Sequence, residues 1–305
     1  ALEAVLAWET RSRTASPIGH WVSFVDAQSG DLLSVHNEVR FLSGEVHATH
    51  DTRTVDGNMT TSAMPFMRLD DGSSALFTDA DGMWELETDL PIEGDLIGDY
   101  VRVNNQGGSD AVFDIGEGTT LLTEDDATQA ELDAYIFQHQ VRDWALRYAP
   151  DLSLIHSRLN VNVNLSETCN AYFDGDLNFF RAGDGCNNTG RIADVNYHEW
   201  GHGFHYYNLV SGEFDGSISE GVSDVISVLL TGDPVIAPYF ATSGSGIREV
   251  ASNRVYPTDW VGEVHYDGLI FAGAVYDLWG ILEDSIGEEA AYDTVSTLVV
   301  DAMRA

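Results

Sequence analysis

The sequence predicts an α+β fold that is β-rich up to about residue 122 and mixed, then mainly helical, beyond it. Three observations carry that expectation. Residues 18–122 are short runs of β-prone residues separated by Gly/Asp turns, with the two-residue alternation of half-buried strands. From residue 123 the apolar spacing changes to a helical period. Three further helical stretches then follow one another towards the end of the chain.

In order, residues 18–42, "IGHWVSFVDAQSGDLLSVHNEVRFL", alternate around a "DAQSGD" turn and read as a β-hairpin. Residues 43–122 continue with "SALFT", "MWELE" and "YVRVN". There "TDADGMWELET" and "GDYVRVNNQGG" read as hairpin pieces of a small β-sandwich. The Asp-Gly pairs are turn chemistry, since none has the oxygen spacing of an EF-hand. "TEDDATQAELDAYIFQHQVRDWALRYAP" reads as a helix opening at Thr123 and ending at Pro150, with apolar residues at 132, 135, 136, 141, 144, 145 and 148. His139 on it is a packing residue. "LNVNVNLS" (159–166) alternates as a strand. "GRIADVNYHEWGHGFHYYNLV", "SISEGVSDVISVLLTG" and "DGLIFAGAVYDLWGILEDSI" are the three later helices. The implied organisation is a hairpin segment 1–42, a sandwich-like domain 43–122 and a mixed to helical domain 123–305.

Composition excludes several classes. A hydrophobic fraction of 44% and seven tryptophans argue against disorder. No apolar run reaches the roughly 18 residues of a membrane span. Against 50 acidic residues there are 14 basic ones, all arginine, for a net charge of −36. That field repels nucleic acid and anionic lipid. It suits a protein kept soluble in salty surroundings, although genomic base composition equally explains Arg in place of Lys. The two cysteines, Cys169 and Cys186, bracket a short loop and predict a disulfide, hence a secreted, extracellular location.

"HEWGH" (198–202) is an instance of H-E-x-x-H. Residues four apart are neighbours on a helix, so His198 and His202 can turn two imidazoles towards one zinc ion, with Glu199 beside them as a base. A catalytic zinc keeps three protein ligands and an open position. His205 is the nearest third candidate, but it lies about 10.5 Å of helix rise beyond His198 and converges poorly on a tetrahedral ion. It reads as a residue that packs or lines the cleft rim. Glu220 in "SISEGVSDVIS" is the better third ligand. Asp224, one turn later, is placed to accept the free ring N–H of a ligand histidine.

"HEWGH" followed by "ISEGVSD" resembles the gluzincin metallopeptidases, most closely the thermolysin-like family with its fungalysin-like relatives. Other segments match in order over about residues 123–300, among them "AELDAYIFQHQVRDW", which resembles the family's helix before the edge strand. "CNAYFDGDLNFFRAGDG" resembles the family's edge strand, which implies that Asn170 and Ala171 bind the substrate backbone. "ADVNYHEWGH" sets Asp194 four residues before the first ligand, as the family does. "GEVHYDGLIFAGAVYDLW" resembles the segment with the transition-state histidine, here His265. Residues 18–42 resemble the tail of a propeptide, and 43–122 look like a carboxypeptidase-regulatory type sandwich.

There are departures. The stretch from His202 to Glu220 is two residues shorter than in the family. Its cleft tyrosine has only Tyr206 and Tyr207 as candidates, and an acidic calcium residue is replaced by Thr231. Calcium is therefore left open, with Asp194, Asp184 and Asp233 as available ligands. The chain ends at "VVDAMRA", before a full helical C-terminal lobe.

The resemblance implies a secreted zinc endopeptidase acting on protein or peptide substrates, with metal-activated water, Glu199 as general base and His265 stabilising the oxyanion. Two alternatives stand beside it: a non-catalytic zinc-binding adhesion or assembly domain, and a latent zymogen with residues 1–42 over the cleft. A gluzincin aminopeptidase is the weaker enzymatic option, because no amine-binding acidic motif sits beside the zinc helix.

Overall fold

β1 (Ala7–Ala15), β2 (Ile18–Asp26) and β3 (Leu32–Asn37) form an antiparallel meander in that order. The computed structural model describes residues 4–15, 18–39, 41–88 and 91–304. Arg40 of the 18–42 segment, and the ends of the chain, lie outside them. β2 and β3 are the expected hairpin. At its turn Asp26 Oδ1 accepts from the N–H groups of Gln28 and Ser29, and Gly30 takes a φ of 79°. β1 is a third strand that the sequence reading left out. Among the described residues of this sheet only Val22 has a buried side chain, while Trp8 is 68% exposed.

Among the described residues, nine strands follow before the first helix: β4 (Phe41–Asp51), β5 (Met59–Ala63), β6 (Arg68–Asp70), β7 (Ala75–Phe77), β8 (Met83–Glu87), β9 (Ile92–Asp95), β10 (Val101–Asn105), β11 (Val112–Ile115) and β12 (Gly118–Leu122). β4 pairs with β5, β8 and β12, and a second sheet has the order β11-β9-β6-β7. β10 departs from expectation. "YVRVN" does not join these sheets; it runs parallel to β13 (Leu159–Leu165), with Val103 opposite Val161. Its alternation was legible, but its partner lies far along the chain and is chosen by tertiary packing.

The first helix, α1 (Gln129–Tyr148), starts six residues later than Thr123. Thr123 instead opens a turn closed by Asp126, whose Oδ2 accepts from Thr123 N and Oγ1. Thr128 is the N-cap, and Glu131 reaches back to accept from its backbone N–H at 2.9 Å. Nearly the whole first half of α1 is buried. His139 is buried as expected, its Nδ1 2.8 Å from Tyr135 O.

β14 (Ala171–Phe173) and β15 (Leu177–Phe180) complete the mixed sheet β10-β13-β15-β14, so β14 is an edge strand. Asn162 ties its centre together, accepting from Asn104 Nδ2 and donating to Asn178 Oδ1. Beyond come α2 (Ala193–Asn208), α3 (Gly216–Thr231), the short pair β16 (Val235–Ile236) and β17 (Arg248–Glu249), α4 (Val264–Ile286) and α5 (Glu288–Arg304). The first three helices predicted here are present, and α5 is added. The fold is α+β. Buried side chains from Val46 on β4 to Met303 on α5 form one apolar cluster. It crosses the 122/123 boundary and buries enough apolar surface to fix α2 and α3 in place.

Candidate metal centre

α2 is anchored before it reaches its histidines. Asn196 Nδ2 donates to the carbonyls of Gly190 and Ile192, and Gln138 Nε2 on α1 donates to Asn196 Oδ1. α3 is capped at its start by Asp215, which accepts from Ile218 N, and at its end by Gly232 in the left-handed region. The two helices touch at Gly201, where a Cβ would fall 2.6 Å from Ser223 Cα. Only glycine permits that approach. α4 closes on α3 in the same way, since a Cβ on Gly221 would meet Gly268 O at 2.6 Å.

These crossings bring His198, His202 and Glu220 together, with one ligand atom from each within 4.8 Å of the others. Glu220 Oε2 is 3.2 Å from His198 Nε2, and Oε1 is 3.5 Å from His202 Nε2. Each imidazole has its other nitrogen engaged. His198 Nδ1 meets Asp224 Oδ1 at 2.9 Å. His202 Nδ1 lies 2.8 Å from Ser219 Oγ and 3.2 Å from Ser223 Oγ. The two Nε2 atoms are thereby aimed at the carboxylate. Ligands at about 2.0–2.2 Å around a tetrahedral ion lie roughly 3.3–3.6 Å apart, so the two distances to Glu220 are compatible with a bound metal ion.

Arg248 on β17 is the residue the sequence reading missed. Its Nε and Nη2 both donate to Asp224 at 2.7 Å, and Nη2 also reaches Glu220 Oε2 at 3.4 Å. No motif marks it, because a lone arginine on a two-residue strand has no spacing signature. Ser219 and Ser223 were findable: they stand one helical turn apart beside Glu220 in the same quoted stretch.

Glu199 is buried, with Oε2 4.0 Å from His202 Nε2. Burial pushes its carboxyl up to about 7, the His198 charge opposing the shift and Glu220 adding to it. Burial pulls His198 down, but the hydrogen bonds to Asp224 and Glu220 outweigh it and raise the imidazole to about 9. His202 is lowered to about 3 by burial and by its charged neighbour His198. A metal ion arriving here must displace the His198 proton.

His265, near the start of α4, is brought to the same place, its Nε2 3.5 Å from Glu220 Oε1 and its Nδ1 2.7 Å from Glu263 Oε1. The group opens into a cleft of about 730 Å³, whose lining includes Asn170 and Ala171 and the aromatic Tyr172 and Phe173 of the edge strand. Tyr206 and Tyr207 also line it. Among the described residues, its lining comes from positions 170–265. His205 stands apart from the His198–His202–Glu220 group, buried and stacked on Phe214.

Asp194, left open as a calcium ligand, is paired within the protein. This fully buried carboxylate takes two hydrogen bonds from Arg53, at 2.9 and 2.7 Å, and one from Ala237 N. Arg53 Nη1 binds Asp233 at 2.6 Å, and Asp184 is bonded instead to Thr168. The Arg53 guanidinium thus bridges Asp194 and Asp233. Cys169 and Cys186 form the expected disulfide.

No protein-family model and no curated protein matches the sequence. Among solved structures, the chain is similar to the precursor of protealysin, a metalloproteinase from Serratia proteamaculans. Identity is 15% and the TM-score 0.48, over 67% of this chain and 84% of that one.

Proposed function

We propose that the chain is a zinc-dependent endopeptidase with its centre at the junction of α2 and α3. The observation that carries this reading is the convergence of two Nε2 atoms and Glu220 beside a buried Glu199, each imidazole fixed from behind. A zinc ion held by His198, His202 and Glu220 would polarise the scissile carbonyl and acidify a water. Glu199 accepts the proton of the attacking water and delivers it to the leaving amine. His265, its Nδ1 held by Glu263, offers Nε2 to the developing oxyanion. Asn170 and Ala171 receive the peptide as a further strand on the free edge of β14. Asp224, itself braced by Arg248, keeps His198 in orientation.

The peptidase unit in this reading takes in 123–305 together with β10, and protein or peptide chains are its substrates. The disulfide supports an extracellular location. Glu199→Gln tests the assignment. The variant keeps stoichiometric zinc and loses about 10²- to 10⁴-fold in casein cleavage, the range for a general base. Undiminished cleavage by a zinc-loaded variant would overturn it, and zinc binding without any cleavage by the parent would favour the adhesion or assembly reading.

A further inference from the structure

His205, the third histidine of "HEWGHGFH", binds no ligand cluster, and its Nδ1 makes no hydrogen bond among the described residues. It is nevertheless buried, and its ring lies 5.0 Å from that of Phe214 with 29° between the planes. The residue after Phe214 is Asp215, whose side chain caps α3. Phe214 is therefore held from beneath by His205 and tethered next to a helix cap, although 50% of it is exposed. The Tyr206 ring is 6.3 Å from Phe214 and 5.1 Å from Tyr207. All three aromatic rings line the cleft. An aromatic side chain fixed in place and left half open loses little entropy when another ring packs on it.

The position of this group along α2 matters. Val195, His198, Glu199, His202 and Tyr206 all line the cleft, so one face of the helix runs its length. Val195 and Tyr206 are eleven residues apart, roughly 16 Å of rise, with the metal ligands between them. Val195 lies near the start of α2 and Tyr206 and Tyr207 near its end, and Ile236, Phe240 and Ile247 add further apolar lining to the cleft. An extended peptide advances about 3.3 Å per residue, so the aromatic end lies roughly two or three residues from a bond held opposite the ligands.

We propose that Phe214, flanked by Tyr206 and Tyr207, forms a subsite for an aromatic side chain of a bound peptide, two or three residues from the scissile bond. His205 is its positioning residue. The inference rests on the reading of the cleft as a peptide site.

The test uses full-length Glu199→Gln protein loaded with zinc and fluorescent peptides carrying Phe or Ala at each position in turn. Phe is preferred at one position, two or three residues from the bond, by about five- to tenfold in Kd. In a Phe214→Ala background the preference falls below about twofold, with zinc content unchanged. His205→Ala gives the same loss and His205→Phe, which can still stack, restores the preference. A preference that survives Phe214→Ala, or no aromatic preference at such a position, overturns the proposal. Cleavage by protein with Glu199 intact is followed in parallel. If the aromatic preference is present and sensitive to Phe214 but no peptide is cut, the subsite stands and the peptidase reading falls.

Discussion

The N-terminal meander and the α2–α3 junction are both regular secondary structure, yet they are held by different forces. In β1–β3 the strands are joined by ladder hydrogen bonds and a well-made turn, while Leu6, Trp8 and Leu32 face solvent and Val22 stays outside the main apolar cluster. At the junction, nearly every residue from Ala193 to His205 is buried, and His198 and His202 are paired across to Asp224 and Ser219 of α3. Local pairing alone gives a sheet that contributes little to the rest of the fold. Close packing with satisfied charges gives a site whose parts cannot be changed singly.

That contrast can be broken most forcefully at Arg248. It neutralises Asp224 inside the protein, so Arg248→Ala leaves a buried carboxylate with one partner fewer. The expected loss is about 3–5 kcal/mol in urea unfolding. A loss under about 1 kcal/mol would mean water replaces the guanidinium and the junction is looser than drawn here. Gly201→Ala comes next, because its methyl group would collide with the α3 backbone at Ser223. The variant should lose about 1–3 kcal/mol and bind zinc more weakly, as α2 is pushed off α3. Unaltered zinc affinity would show that the crossing does not set the ligand geometry.

A smaller, pH-dependent effect is expected at Asp133 on α1. Burial and the adjacent Asp51 carboxylate raise its pKa well above 3.8, although Gln129 donates to it. The folded chain then keeps a proton that the unfolded chain has released, and stability falls as pH climbs from the unfolded value towards the folded one. Asp133→Asn removes that titration. Its Tm should exceed that of the parent at pH 8 and the difference should shrink towards pH 4; a constant difference across that range would contradict the assignment. The smallest effect belongs to the meander. A chain beginning at residue 41 should unfold within about 0.5 kcal/mol of the parent. A loss of several kcal/mol would erase the distinction between the two regions.

Much of the junction was legible because helical spacing is short-range: His198, Glu199, His202, Glu220 and Asp224 come together through i, i+4 neighbours on two adjacent helices. What escaped reading depends on distant chain. Arg248 reaches Asp224 from a two-residue strand, and Arg53 reaches Asp194 across 141 positions. β10 alternates equally well whether it pairs within the sandwich-like region or with β13. The start of α1 was misjudged because Thr123 and Thr128 each precede an acid by three residues, Asp126 and Glu131. Both acids accept from the backbone N–H of their threonine, and only after the second does the chain continue as a helix.

The most direct measurement is zinc stoichiometry and peptide cleavage on one preparation, before chelation, after it and after zinc is returned. The account predicts one zinc per chain, cleavage lost with the metal and recovered with it. Cleavage that continues in the metal-free protein would contradict the central claim, as would full zinc occupancy with no cleavage of any peptide in a mixed library.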